Sequence, residues 1–226
     1  MIADDSPGML ATKISQLINK RGGFFIEAGA NNGVWQSNTL YLETELGWSG
    51  LLIEPNKKKF EECKKYRNAQ GNIFYNCALV NFGYEKGSID GYFNEVDYEN
   101  SLMAQACENN PRFSEDDPRW HNKKKVNVEA RRLSDILDEN DINEIDFFSL
   151  DVEGCELNAL NGIDFSRHAP RAFCIEISKK SGIQNFLEIK QLLESNGYIM
   201  KARITEQDYI FEKISSHSDS GIICEF

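Results

Sequence analysis

Residues 23–33, Gly-Phe-Phe-Ile-Glu-Ala-Gly-Ala-Asn-Asn-Gly, constrain the fold more than any other stretch of the chain. An apolar run ends on an acid, Glu27, and a Gly-x-x-x-Gly turn, Gly29 to Gly33, follows directly. A second apolar run, Leu51-Leu52-Ile53, also ends on an acid, Glu54. Two buried strands, each ending in a carboxylate and joined through a glycine turn and a helix, are how an α/β sheet builds a nucleoside pocket. A dinucleotide fingerprint, G-x-G-x-x-G, needs its second glycine so that backbone can approach a pyrophosphate. Asn31 and Val34 stand at the second and third glycine places, so the turn suits an adenosine ligand that lacks a diphosphate.

The common ligand of that kind is S-adenosylmethionine. Glu54 is placed to accept the ribose hydroxyls. Glu27 can meet the ligand's ammonium. Gly29 and Gly33 keep backbone close to it, and the N–H groups of the following helix can face its carboxylate. Asn76, Cys77 and Ala78 should end on the wall where adenine lies. A second acidic cluster, Asp151-Val152-Glu153-Gly154, follows the apolar run 145–150, and Glu176 closes the run 173–175. Three carboxylates at neighbouring strand ends can deprotonate a hydroxyl, or hold a divalent cation such as Mg2+ or Mn2+ that lowers its pKa. Asp151 and Glu153 are the catalytic candidates. Asp151, Glu153 and Glu176 are the metal-ligand candidates.

The 226 residues carry a formal charge of −11, which disfavours nucleic acid as partner. The runs Lys57–Lys59 and Lys123–Lys125 read as solvated faces. Six cysteines show no C-x-x-C pair. Reduced, buried thiols in a reducing compartment are expected, hence a cytoplasmic protein. The amino terminus lacks signal-peptide character, and no apolar run is long enough to span a membrane. His121 falls in a long polar stretch, while His168 and His217 read as surface residues. The pattern shows neither a Ser-His-Asp arrangement nor a P-loop lysine.

Periodicity predicts one α/β domain over 1–226, with its core at 22–214. Helices are expected at 10–20, 34–46, 56–67 (capped by Asn56), 133–139, 156–160 and 185–195. Strands are expected at 24–28, 50–54, 73–80, 87–94, 126–130, 145–150 and 172–177, with a closing antiparallel pair at 198–204 and 208–214. Repeated βα units enforce a mostly parallel sheet flanked by helices. The stretch 95–125 is long and polar enough for a substrate loop or lid, and the tail 215–226 reads as disordered.

These segments together resemble the FkbM family of S-adenosylmethionine-dependent methyltransferases. The resemblance rests on 25–33, Gln36-Ser37-Asn38-Thr39, 47–56, Asn76-Cys77-Ala78-Leu79, 132–137 and 146–156, in the family's order. Asn32 and Cys155 depart from its commoner Asp and Ala. The resemblance implies a Rossmann-like methyltransferase fold. It implies methyl transfer to a hydroxyl, often of a sugar, glycan or secondary metabolite. It also implies a cofactor site of Glu27, Gly29, Asn31, Gly33, Ser37 and Glu54, with Asp151 and Glu153 facing the acceptor. Two other readings stay open at this point. One is a nicotinamide-dependent dehydrogenase, for which Glu54 also suits a ribose. The other is a non-catalytic cofactor-binding module of the same fold.

Overall fold

The computed structural model describes residues 13, 14, 18, 20–94 and 123–214. Among the described residues, ten strands follow in chain order. They are β1 (Phe24–Ala28), β2 (Ser49–Ile53), β3 (Ile73–Tyr75), β4 (Ala78–Leu79), β5 (Ser88–Asn94), β6 (Lys123–Arg131), β7 (Phe147–Leu150), β8 (Ala172–Glu176), β9 (Tyr198–Arg203) and β10 (Asp208–Lys213). The α-helices are α1 (Leu40–Leu46), α2 (Lys57–Tyr66), α3 (Leu133–Glu139), α4 (Glu156–Leu160) and α5 (Gly182–Ser195). Seven strands form the main sheet in the order β3-β2-β1-β7-β8-β10-β9. The first five run parallel, and β10 is antiparallel to both β8 and β9. From β1 the chain winds out to β3, then returns to the other side of β1 at β7. The crevice at that reversal, beyond the strands' carboxyl ends, is where open α/β sheets bind ligands.

The central strands read as unbroken apolar runs because both faces of the sheet are covered. Side chains alternate between those faces. Ile26, Leu51, Ile53, Phe148 and Leu150 pack with Leu133 and Ile136 of α3 and Ile189 and Leu193 of α5. Phe25, Leu52 and Phe147 pack on the other face with Leu42 of α1, Cys63 of α2 and Ile14. Each such fully buried side chain contributes about 1.5–3 kcal/mol, which fixes the strand ends that carry the acids. A smaller sheet, β4-β6-β5, has its own core of Ala78, Val80, Ile89, Phe93, Val128 and Ala130.

Several expectations change. The predicted helix at 34–46 begins only at Leu40. Asn32 Oδ1 accepts from the N–H of Val34 and Trp35, and Ser37 Oγ accepts from Thr39 and Leu40. Ser37 Oγ takes the Thr39 and Leu40 donors that a helix from residue 34 would bond to its own carbonyls, and Gln36 adopts φ 55°, so the turn after Gly33 is a loop rather than a helix N-terminus. The expected strand at 73–80 is two strands in different sheets, because Asn76 turns its amide onto the carbonyls of Glu54 and Pro55. The basic run at 123–125 belongs to β6, which begins earlier than 126–130. Helix α5 starts at Gly182, three residues before the expected 185. Of the expected helix at 10–20, Lys13, Ile14 and Ile18 are helical and Ile14 is buried. The lid at 95–125 up to residue 122, His121, His217 and the tail lie outside the described residues. Cys63, Cys77 and Cys174 are free and buried as expected. Cys155 is disulfide-bonded, which corrects the expectation of reduced thiols throughout. Among the described residues, no helix is long and apolar enough to cross a membrane.

His168 is not a surface residue. It is 1% exposed, with Nδ1 2.9 Å from Ser134 Oγ and Nε2 3.3 Å from Asp138 Oδ1. That is the order of a nucleophilic triad, contrary to the sequence reading, yet the chain is structural. Ser134 is fully buried and its Oγ accepts the Asp164 N–H at 2.8 Å. Burial holds the His168 pKa below its usual 6.5, against the pull of the Asp138 carboxylate. The unfolded chain therefore takes up this proton first as pH falls. The stabilisation is complete above about 6.5 and is lost as pH drops through 6.5 towards the lowered folded value. Thermal melts of His168→Gln should show a flatter fall in stability from pH 7.5 to 5.5 than the parent chain. Parallel pH profiles would show that His168 carries none of it.

Candidate active-site cleft

One cleft, about 830 Å3 including the space open to solvent, lies at the carboxyl ends of β1, β2 and β7. Five stretches line it: Gly29 to Asn31 and Trp35 to Ser37 after β1, Ile53 to Pro55 with Lys59 at and beyond the end of β2, Cys77 to Leu79, and Asp151 to Glu153 with Cys155 after β7. Of the expected cofactor residues, Gly29, Asn31, Ser37, Glu54 and Ala78 line the cleft. Glu27, Gly33 and Asn76 stand outside its lining.

Gly29 sits where β1 is squeezed between its neighbours. Its N–H, with that of Ala30, donates to the Ile53 carbonyl at 3.0 Å on one side. On the other, a Cβ at Gly29 would fall 1.7 Å from the Asp151 carbonyl oxygen, and φ is +84°. The first glycine of the motif thus lets β1 and β7 end against each other, which brings Asp151 to the cleft. The second has a different cause. A Cβ at Gly33 would meet Arg67 Cγ at 2.5 Å and Cys63 Sγ at 2.9 Å, so Gly33 makes room for a buried arginine.

That arginine reassigns Glu27. Arg67 is fully buried, and its Nη1 donates to Glu27 Oε2 at 3.2 Å. Glu27 also accepts from Ser37 Oγ, from the Asn38 N–H at 2.9 Å and from Thr39 Oγ1 at 2.7 Å. Both oxygens of Glu27 are consumed in a buried network. Glu27 lies outside the cleft lining and anchors the loop after β1. Nothing in the apolar periodicity pointed to Arg67, which caps the end of a lysine-rich helix.

Glu54 follows β2 directly and lines the cleft. Its Oε2 accepts the Asn31 N–H and its Oε1 the Asn56 N–H, both at 2.8 Å. Asn31 presents that N–H from φ 48°, a left-handed conformation that asparagine tolerates better than most residues. Burial pushes the Glu54 carboxyl up from 4.5 to about 7, against the two backbone donors and the nearby Lys59 ammonium. Lys59, itself buried, is a cleft residue that the sequence pattern assigned to a solvated face. Cys77 also lines the cleft, and burial pushes its thiol up to about 12, so this cysteine supplies no thiolate at neutral pH.

Asp151 and Glu153 line the cleft opposite Glu54, Glu176 stands outside its lining, and each of the three acids offers an oxygen within 4.8 Å of the others. The Asp151 to Cys155 turn holds Glu153 at φ 57° and Gly154 at φ 98°. A fourth acid, Glu156, pins that turn from beneath. It is fully buried, and its Oε1 accepts the N–H groups of Gly154 at 2.9 Å and Val152 at 3.3 Å. The sequence did not separate Glu156 from the neighbouring acids Asp151 and Glu153.

A family model described as the methyltransferase FkbM domain matches residues 27–200. Methyltransferase 1 of Beauveria bassiana (strain ARSEF 2860) is 27% identical over 185 residues, 77% of this chain and 72% of that protein. Methyltransferase sdnD of Sordaria araneosa is 36% identical over 91 residues, 36% of this chain and 34% of that protein. The crystal structure of methyltransferase FkbM from Methylobacillus flagellatus KT aligns with a TM-score of 0.49 at 16% identity, covering 84% of this chain and 43% of that one. The chain thus spans less than half of the latter two.

Proposed function

The chain belongs to the FkbM methyltransferase domain family, and from that premise we propose that it transfers a methyl group from S-adenosylmethionine to a hydroxyl group. The observation that carries this reading is a single cleft with Glu54 on one side and Asp151 and Glu153 on the other. The family assignment leaves the dehydrogenase reading without support. The residues present fit an adenosyl ligand. Glu54 keeps a carboxylate in the wall after each oxygen has accepted one backbone N–H, and carboxylate oxygens have further lone pairs for ribose hydroxyls. Gly29 is part of the cleft wall. Ala78 and Leu79 supply an apolar wall for a purine. When bound, the cofactor supplies a methyl group on a positively charged sulfur.

A sulfonium needs no activation, so the chemical demand falls on the acceptor. Asp151 accepts the hydroxyl proton as the oxygen–carbon bond forms, and Glu153 orients the hydroxyl. The S–CH3 electron pair stays on sulfur. The acceptor is a small molecule or a glycan. The protein's charge of −11 argues against a polyanionic acceptor. A second form of the same reading places Mg2+ or Mn2+ among Asp151, Glu153 and Glu176, whose oxygens are close enough to share one ion and are of the kind these ions prefer.

Turnover against a panel of sugars and hydroxylated metabolites tests this. Asp151→Asn should lower kcat by about 10²- to 10⁴-fold while binding of S-adenosylhomocysteine persists. Full activity in Asp151→Asn and in Glu153→Gln, each measured alone, removes the acid cluster from the chemistry. Full activity after exhaustive chelation leaves Asp151 as the base without a cation. Activity lost on chelation and restored by manganese assigns the cation. A chain that binds the cofactor and methylates nothing in the panel fits the non-catalytic module.

A further inference from the structure

We propose that Arg67, at the carboxyl end of α2, is the positioning residue for the cofactor loop, setting residues 33–39 in the pose that walls the cleft. The inference rests on the reading of that cleft as a cofactor site. Arg67 is fully buried and does not line the cleft, so it acts through what it holds. Its Nη1 donates to the Gly33 carbonyl and to Ser37 Oγ, both at 3.0 Å, and its Nη2 to Thr39 Oγ1 at 3.0 Å. Three of its bonds therefore end on the loop. Two carboxylates balance its charge: Glu27 at the end of β1, and Glu43 of α1, whose Oε2 accepts from Nε at 2.7 Å. The guanidinium thus joins β1, the loop, α1 and α2 at one point.

The loop has reason to need such a pin. Between Gly29 and Leu40 it forms no helix, and it carries two non-glycine residues, Asn31 and Gln36, at positive φ. Conformations of that kind persist only where the surroundings over-determine them. Ser37 and its neighbours Trp35 and Gln36 line the cleft. Trp35 is half exposed, so its own packing does little to fix it. Gly33 is the complementary feature, since any side chain there would displace Arg67 Cγ. A lysine cannot reproduce the arginine's fork, because it offers one nitrogen where the guanidinium uses three.

The test separates positioning from bulk stability. Arg67→Lys and Glu43→Gln are compared with Leu193→Ala, which opens the core beneath α5 away from the cleft. Each is measured for melting temperature, for S-adenosylhomocysteine affinity by calorimetry, and for the KM of the methyl donor against kcat. Arg67→Lys should bind the product about tenfold or more weakly, raising the donor KM with kcat within about twofold of the parent. Leu193→Ala should lose melting temperature with its affinity unchanged. Should Arg67→Lys fail to fold, Glu43→Gln carries the test, since it keeps the side-chain volume and weakens the guanidinium's grip from the side away from the cleft. Its binding should fall in the same direction. Affinity that is unchanged in the Arg67 or Glu43 variant, or that falls no further than in Leu193→Ala at equal loss of melting temperature, overturns the inference. A parent chain that binds no S-adenosylhomocysteine overturns the cofactor reading itself, a result distinguishable from the failure of Arg67 alone.

Discussion

Gly29→Ala is expected to lower the melting temperature by roughly 6–12 °C, the equivalent of about 3 kcal/mol in a chain of this size, and to abolish cofactor binding. Two costs add. The backbone stands at φ +84°, where an L side chain is strained by about 1–2 kcal/mol. The new Cβ would also lie 1.7 Å from the Asp151 carbonyl oxygen, a backbone atom that cannot swing aside. Relief requires the carboxyl ends of β1 and β7 to move apart. The Asp151 N–H donates to the Ala28 carbonyl at 3.1 Å, so that bond is lost with the movement. Asp151 and the loop after β1 are displaced together. Calorimetric melting and product binding check both parts. A stable Gly29→Ala protein with parent affinity would mean that the close approach of the two strand ends is dispensable. Gly47→Ala is the control: it shares a positive φ but meets nothing within 4 Å, so it should cost only the conformational part.

Cofactor affinity should depend on pH through Glu54. Its carboxyl is raised to about 7 by burial, and only the ionised form accepts from the two backbone donors and the ribose hydroxyls together. Between pH 8 and pH 6 the ionised fraction falls about tenfold for a pKa near 7, and affinity should fall about as much. Binding at pH 7 should release protons, measured as a calorimetric enthalpy that varies with the buffer's ionisation enthalpy. Stability of the unliganded fold follows the opposite sign. The folded pKa lies above the ordinary 4.5, so between about 4.5 and 7 the folded state holds more protons than the unfolded one. The contribution is present below 4.5 and is lost as pH rises through 7, by roughly 3 kcal/mol in all. Glu54→Gln should weaken binding at pH 8 by about tenfold to a hundredfold and abolish its pH dependence. A variant that keeps the parent's affinity at pH 8 removes Glu54 from the site.

Much of the architecture was legible because burial on both sides of a sheet forces unbroken apolar runs. Phe24 to Ile26 and Leu51 to Ile53 are such runs, and the helices 133–139 and 156–160 follow from their spacing. The cleft's acids were legible for the same reason: Glu54, Asp151 and Glu176 each end or follow an apolar run, so their position in the sheet followed from the strands. Where side chains compete for backbone donors the pattern misled. Ser37 took the Thr39 and Leu40 N–H groups that a helix from residue 34 would have used, and Asn76 divided an apparent strand between two sheets.

What the sequence by itself determined is the order of strands and helices, the mostly parallel sheet, and the set of carboxylates delivered to its carboxyl edge. These depend on periodicity and on where a run stops, which are local properties. What only the tertiary structure decided is the division of labour among those acids. Glu27 and Glu54 end equivalent runs and look alike in sequence, yet one is spent on Arg67 and the loop hydroxyls while the other faces the cleft. The difference lies in which partners the fold brings within hydrogen-bond distance. Arg67 lies forty residues from Glu27, and His168 lies thirty-four from Ser134. Periodicity carries no information about such pairs, because a buried charge is chosen for the partner it meets after folding and not for the residues beside it in the chain.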